Sequence, residues 1–192
     1  MSKFLFLHIS KCGGTSIKKM IKNKDNIENI QKHHLDSLHL RLDRYNDYFK
    51  FTIVRDPYDR IKSVCRMVNE RGYQTTIDEI LDIVEDKDVS HYFQFFNTKN
   101  GYIKRHALPM THKHYCVYDL ESEKLIADKV YRFEDFGSIH KDLEELTGRN
   151  FELIKVNSTK KIGLVLSKDQ IRRINKIYEK DFEVFNYNME KV

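Results

Sequence analysis

The segment His8-Ile9-Ser10-Lys11-Cys12-Gly13-Gly14-Thr15-Ser16 gathers the residue types that an anion site needs. Gly13 and Gly14 let the backbone approach a ligand closely, while Thr15 and Ser16 add hydroxyl donors. Lys11 adds a mobile cation. A helix opening at this point would turn its first N–H groups and the positive end of its dipole toward the same anion. A tight turn with a helix cap uses the same residues, and Gly-rich turns are common. The order is not that of a Walker A loop, in which Lys immediately precedes Ser or Thr. Here Gly14 precedes Thr15, and Lys11 lies before the glycines.

A second segment has related chemistry: Phe51-Thr52-Ile53-Val54-Arg55-Asp56-Pro57-Tyr58-Asp59-Arg60-Ile61-Lys62-Ser63. Arg55 ends an apolar run and can fork onto a phosphate. Asp56 and Pro57 suit the N-cap and the first position of a helix. Ser63 then falls about two helical turns later, with Arg60 on the same face. By itself this segment also reads as a capped helix with surface ion pairs.

A proton acceptor is best sought among the 9 histidines, which titrate near neutrality. His33-His34-Leu35-Asp36-Ser37-Leu38 lies between the two anion segments. His112, His114 and Cys116 alternate, and on a strand they would share one face. A zinc site there would lack both a Cys-x-x-Cys pair and a distant His pair, so ordinary strand packing is the simpler account. We expect no metal.

These residues need a scaffold, and the chain is long enough to supply one. Its 192 residues suit a single domain over 1–192 with a real core. Hydrophobic residues make up 40% and charged residues 33%, as in soluble globular proteins. Only 2 Pro and 7 Gly argue against long linkers. No apolar run approaches a membrane span, and residues 1–8 read as a first strand rather than a signal peptide. The 3 cysteines are too few and too odd for a disulfide framework, which favours a cytoplasmic or otherwise soluble location. A net charge of +5, with scattered Lys and Arg, does not call for nucleic acid. It suits a basic cleft for an anionic cofactor or an acidic glycan.

The pattern predicts strands at 4–8 and 51–54, each leading into a helix, at 15–22 and from Pro57 to about Asn69. Residues 24–48 read as a polar helix and loops. Capping boxes at Thr76-Ile77-Asp78-Glu79 and Ser167-Lys168-Asp169-Gln170 open helices ending near Glu85 and Asp181. Further strands are expected at 115–118 and 129–132, and a helix at 138–147 closed by Gly148. Alternating strands and helices indicate an α/β domain with a mainly parallel sheet. Such sheets bind ligands at the carboxyl ends of their strands.

Together, Lys-x-Gly-Gly-Thr-Ser and Val-Arg-Asp-Pro-Tyr-Asp-Arg-x-x-Ser resemble the signature of the PAPS-dependent sulfotransferases (PAPS is 3′-phosphoadenosine 5′-phosphosulfate). The likeness is strongest to the carbohydrate branch, which includes the heparan sulfate 2-O-sulfotransferases. Val130-Tyr131-Arg132-Phe133-Glu134-Asp135-Phe136 is similar to a late strand of that family, and Asn157-Ser158-Thr159-Lys160-Lys161 to its nucleotide-covering loop.

The resemblance implies a P-loop-NTPase-like three-layer sandwich around a mainly parallel central sheet. It implies that Lys11, Cys12, Gly13, Gly14, Thr15 and Ser16 hold the phosphosulfate, Cys12 mainly through its backbone. Arg55 and Ser63 would hold the 3′-phosphate, and Ser158 and Lys160 would close over the nucleotide. Lys11 and His34 take the catalytic positions, with Lys32 standing where the family has a second His. His106 and Pro109 resemble a substrate-side pattern in which Met110 replaces Gln. The expected reaction is metal-free, in-line sulfuryl transfer from PAPS to a hydroxyl acceptor, a glycan before a small molecule, releasing adenosine 3′,5′-bisphosphate. The alternatives are a small nucleotide or metabolite kinase of P-loop type and a non-catalytic PAPS- or nucleotide-binding domain.

Overall fold

The computed structural model describes residues 3–21, 27–30, 45–86, 98–148, 150 and 163–192, with backbone alone at 27–30 and 147. The chain forms two compact units, Met1–Arg55 with Thr111–Lys161, and Asp56–Met110 with Ile162–Val192.

The first unit is built on a parallel sheet. β1 (Lys3–Leu7) lies between β2 (Ile27–Ile30) and β3 (Tyr48–Val54). Phe4, Leu5, Phe6 and Leu7 are all buried, so β1 is apolar on both faces, as an interior parallel strand requires. The Thr52 hydroxyl is fully buried and donates to the Leu7 carbonyl at 2.7 Å, which satisfies a polar group inside the sheet.

α1 (Gly14–Ile21) follows β1 and buries Ile17, Met20 and Ile21 on one side. Lys18 and Lys19 in its last turn complement the negative end of its dipole. Strands β4 (Tyr118–Asp119) and β5 (Lys124–Leu125) form a small antiparallel pair. β6 (Lys129–Arg132) then pairs with β3, giving the order β2-β1-β3-β6 with every pairing parallel. A 3-10 turn, Phe133–Asp135, leads into an α-helix, Phe136–Thr147, that ends on left-handed Gly148.

Two sequence expectations change here. Residues 27–30 form the edge strand β2 rather than part of a helix or loop. The strand expected at 115–118 survives only at its last residue, in Tyr118–Asp119. In its place stands a 3-10 turn, Lys113–Tyr115, because the His112 side chain accepts from the His114 N–H at 3.1 Å. Such a local bond competes with a sheet ladder. Cys116 then adopts a left-handed conformation, φ 52°.

The second unit is helical. α2 (Pro57–Glu70) begins as its sequence dictates, with Asp56 accepting from the Asp59 N–H at 3.0 Å and Pro57 at the start. α3 (Ile77–Glu85) carries the Thr76–Glu79 capping box, and α4 (Lys99–Ala107) is capped by Thr98. With the helix at Phe136–Thr147 counted as α5, α6 (Lys168–Ile177) carries the Ser167–Gln170 box, and α7 (Glu179–Phe185) follows. The single helix expected to reach Asp181 therefore turns at Tyr178, whose buried hydroxyl donates to the Ala107 carbonyl at 2.6 Å.

Ile61, Val64, Val68, Ile80, Leu81, Ile103 and Ile174 are fully buried in this unit's core. Each such side chain contributes about 1.5–3 kcal/mol. Arg60 is also fully buried, and its guanidinium donates to the carbonyls of Leu108 at 2.8 Å and His106 at 3.1 Å. It thus serves the unpaired carbonyls at the end of α4, where a cation also meets the negative end of the helix dipole.

Candidate functional site

The loop between β1 and α1 has two left-handed residues, Lys11 at φ 66° and Gly13 at φ 80°. Gly tolerates that conformation freely, whereas Lys in it costs about 1–2 kcal/mol. The first helical turn closes on the Gly13 carbonyl, which accepts from the N–H groups of Ser16 at 2.9 Å and Ile17 at 3.3 Å. The N–H groups of Gly14 and Thr15 come before that closure, so the helix itself offers them no partner. Donors of this kind at a helix start form an anion cradle.

Both glycines are dictated by what surrounds them. A Cβ on Gly13 would lie 2.9 Å from Phe133 Cδ2 and 3.1 Å from Phe136 Cε2. A Cβ on Gly14 would lie 1.8 Å from His8 Nε2, so the imidazole rests directly on the first residue of α1. His8 is held there partly by stacking on Phe6, with 5.5 Å between ring centroids.

The remaining loop side chains divide by exposure. Cys12 is fully buried and its thiol points to the Ser10 carbonyl at 3.5 Å, which turns its side chain away from solvent. Ser16 is buried, Lys11 half-buried and Thr15 exposed.

Arg55 reaches this loop from the end of β3. Its Nη1 donates to the Lys11 carbonyl at 3.3 Å, and its Cζ lies 4.5 Å from the centroid of the Phe133 ring. The structure therefore brings Arg55 into direct contact with the segment that carries Lys11, Gly13 and Gly14. The register explains this: Leu7 pairs with Thr52 and Val54 with Arg132, so three strands end together at one edge.

Ser63 belongs to the helical unit, where it is buried two turns into α2. His33, His34, Ser158 and Lys160 lie outside the described residues. His106 is fixed within α4, its Nδ1 2.8 Å from the Tyr102 carbonyl. Met110 is fully buried, and its N–H donates to the Asp181 carboxylate at 2.6 Å.

His112, His114 and Cys116 do not share a strand face, because the 3-10 turn replaces the strand. Burial pushes the Cys116 thiol up to about 12, which keeps it protonated. Among the described residues, no group of three or more His, Cys, Asp or Glu side chains is placed to hold a metal ion. Nor does any helix among them have the length and apolarity to cross a membrane.

Residue type alone points to no role for His8 or Phe133. Both types are common in cores, and their contacts with Gly14, Gly13 and Arg55 join residues distant in the chain or folded back on it. The available signal was position: each adjoins the carboxyl end of a strand that reads clearly in the sequence.

The fold has a known counterpart. The chain is similar in structure to a sulfotransferase from Alicyclobacillus acidocaldarius, with a TM-score of 0.60 and 14% identity over 98% of this chain and 97% of that one. At that identity the likeness establishes the fold, the P-loop-like α/β class expected from the sequence. No curated protein sequence gives a significant match. A family model described as "Sulfotransferase family" matches residues 1–188. With nearly its whole length matched, the chain belongs to the sulfotransferase family.

Proposed function

We propose that this protein transfers the sulfuryl group of PAPS to a hydroxyl on a carbohydrate acceptor, with the whole chain acting as one sulfotransferase domain. The carrying observation is the contact of Arg55 with the Lys11 carbonyl, which joins residues from both anion motifs in one place. The residues suit a phosphosulfate: left-handed Lys11 and Gly13 curve the backbone just before the start of α1.

PAPS supplies an activated sulfuryl group on a phosphate leaving group. Sulfuryl transfer needs an acceptor oxygen in line with that leaving group, removal of the acceptor proton, and stabilisation of charge on the bridging oxygen. Lys11, with the N–H groups of Gly14 and Thr15, suits the last task, and Thr15 and Ser16 add hydroxyl donors. Cys12 contributes its backbone. Arg55 and Ser63 are assigned to the 3′-phosphate, and Ser158 and Lys160 to the nucleotide cover, on the resemblance of their motifs. His34 is assigned as the base on the same ground, and the branch resemblance points to a sugar hydroxyl. Fixed cations and N–H donors give this chemistry its charge stabilisation without a metal.

The kinase reading is disfavoured by the missing Walker order. Calorimetry with adenosine 3′,5′-bisphosphate in the absence of Mg tests the donor. Binding supports the proposal, whereas tight Mg-ATP binding with no response to the bisphosphate overturns it. Labelled PAPS with a panel of glycans tests transfer, and firm PAPS binding without transfer to any acceptor would favour a non-catalytic binder.

A further inference from the structure

Phe133 follows β6 directly, as Arg55 follows β3. The pairing of Val54 with Arg132 brings these two positions level at the edge of the sheet. The Phe133 ring then meets both parts of the anion site. It lies 4.5 Å from the Arg55 Cζ, and it abuts Gly13, where a Cβ would stand 2.9 Å away. Phe136 backs it edge-on, with 6.0 Å between ring centroids. The Arg55 Nε is buried and has no hydrogen-bond partner among the described residues.

An aromatic support has a particular consequence for a guanidinium. A carboxylate would orient Arg55 as well, but it would neutralise the charge and compete with an incoming anion. A ring face attracts the cation and leaves its in-plane donors available. It also excludes water from one side, which strengthens attraction to a ligand charge.

We propose that Phe133 is a positioning residue that sets Arg55 and the Gly13 backbone against one surface, so that the two parts of the anion site act together. What those parts bind rests on the function proposed above, but the contact itself does not.

The test combines calorimetry and NMR on the full chain. Phe133→Leu should raise the Kd for adenosine 3′,5′-bisphosphate about tenfold, and Phe133→Tyr should keep it within about twofold of the wild type. In an Arg55→Ala background, Phe133→Leu should weaken binding less than it does in the wild type, leaving only the contribution made through Gly13. The Arg55 Nε–H resonance, assigned by its loss in Arg55→Lys, should show an upfield ring-current shift that Phe133→Leu removes and Phe133→Tyr retains. Should Phe133→Leu fail to fold by circular dichroism, Phe133→Met fills similar volume without a ring and carries the same expectations.

Wild-type affinity in the ringless variant, or equal weakening with and without Arg55, would overturn the inference. A wild-type protein that does not bind the bisphosphate would overturn the proposed function instead. The ring-current shift then decides the inference by itself: its presence supports the positioning contact, and its absence sinks it.

Discussion

The Arg55 guanidinium donates to the carbonyl of Lys11 at 3.3 Å, across 44 positions of sequence. That carbonyl belongs to a residue in a left-handed conformation, φ 66°, which a lysine adopts at a cost. The hydrogen bond offsets part of that cost and ties the loop after β1 to the end of β3. Loop shape and Arg55 position are therefore one property of the protein.

Arg55→Lys should separate charge from geometry. Lysine keeps the cation but has no planar fork to reach the Lys11 carbonyl while lying on Phe133. Hydrogen bonds to charged groups are worth about 1.5–3 kcal/mol, so bisphosphate affinity should fall about tenfold or more. Calorimetry at fixed salt measures this, and an unchanged Kd would show that charge alone suffices.

Gly14→Ala should destabilise the protein through a single clash, because the new methyl would fall 1.8 Å from His8 Nε2. Gly14 itself is helical and suffers no backbone strain from a side chain. The double variant His8→Ala with Gly14→Ala should thus recover about 1 kcal/mol or more relative to the sum of the single changes. Urea unfolding of the four proteins gives the coupling, and strict additivity would exclude the packing described.

Arg60→Met should cost about 2–4 kcal/mol of stability in urea unfolding. Methionine replaces much of the buried volume, so the loss reports the carbonyls of His106 and Leu108 left without their donor. A loss under about 1 kcal/mol would mean that those carbonyls find other partners.

Acid should weaken the cap of α3. The Glu79 carboxyl is held below its ordinary value of 4.5, first by the Thr75 hydroxyl, then by the Thr76 N–H and by Lys99. A carboxyl depressed in the folded state stabilises it fully above the unfolded value and loses that contribution as pH falls through the folded one. Stability measured downward from about pH 5 should therefore fall less steeply in Glu79→Gln than in the wild type. Parallel curves would remove Glu79 as a source of the acid dependence.

Much of the scaffold is legible in local sequence because its signals are local. Thr76 with Glu79, Ser167 with Gln170, and Asp56 with Pro57 open helices where they are read, since each cap is satisfied within three residues. The buried run in β1 reads as a strand for the same reason. Residues 27–30 do not, because a four-residue edge strand depends on its neighbour for definition. His112 to Cys116 misleads, because alternation on a strand and a side-chain-capped turn share one pattern.

The sequence by itself determined which residue types stand at the strand ends: Lys11, Gly13, Gly14, Thr15, Ser16 and Arg55 have the types and spacing that suit the anion site proposed above. Tertiary structure alone decided how those residues are held. The register of three parallel strands sets Arg55 beside Lys11 and Phe133, and the return of His8 over Gly14 shapes the start of α1. Residue type states what a side chain can do locally, but contacts between distant segments exist only once the sheet has chosen its neighbours.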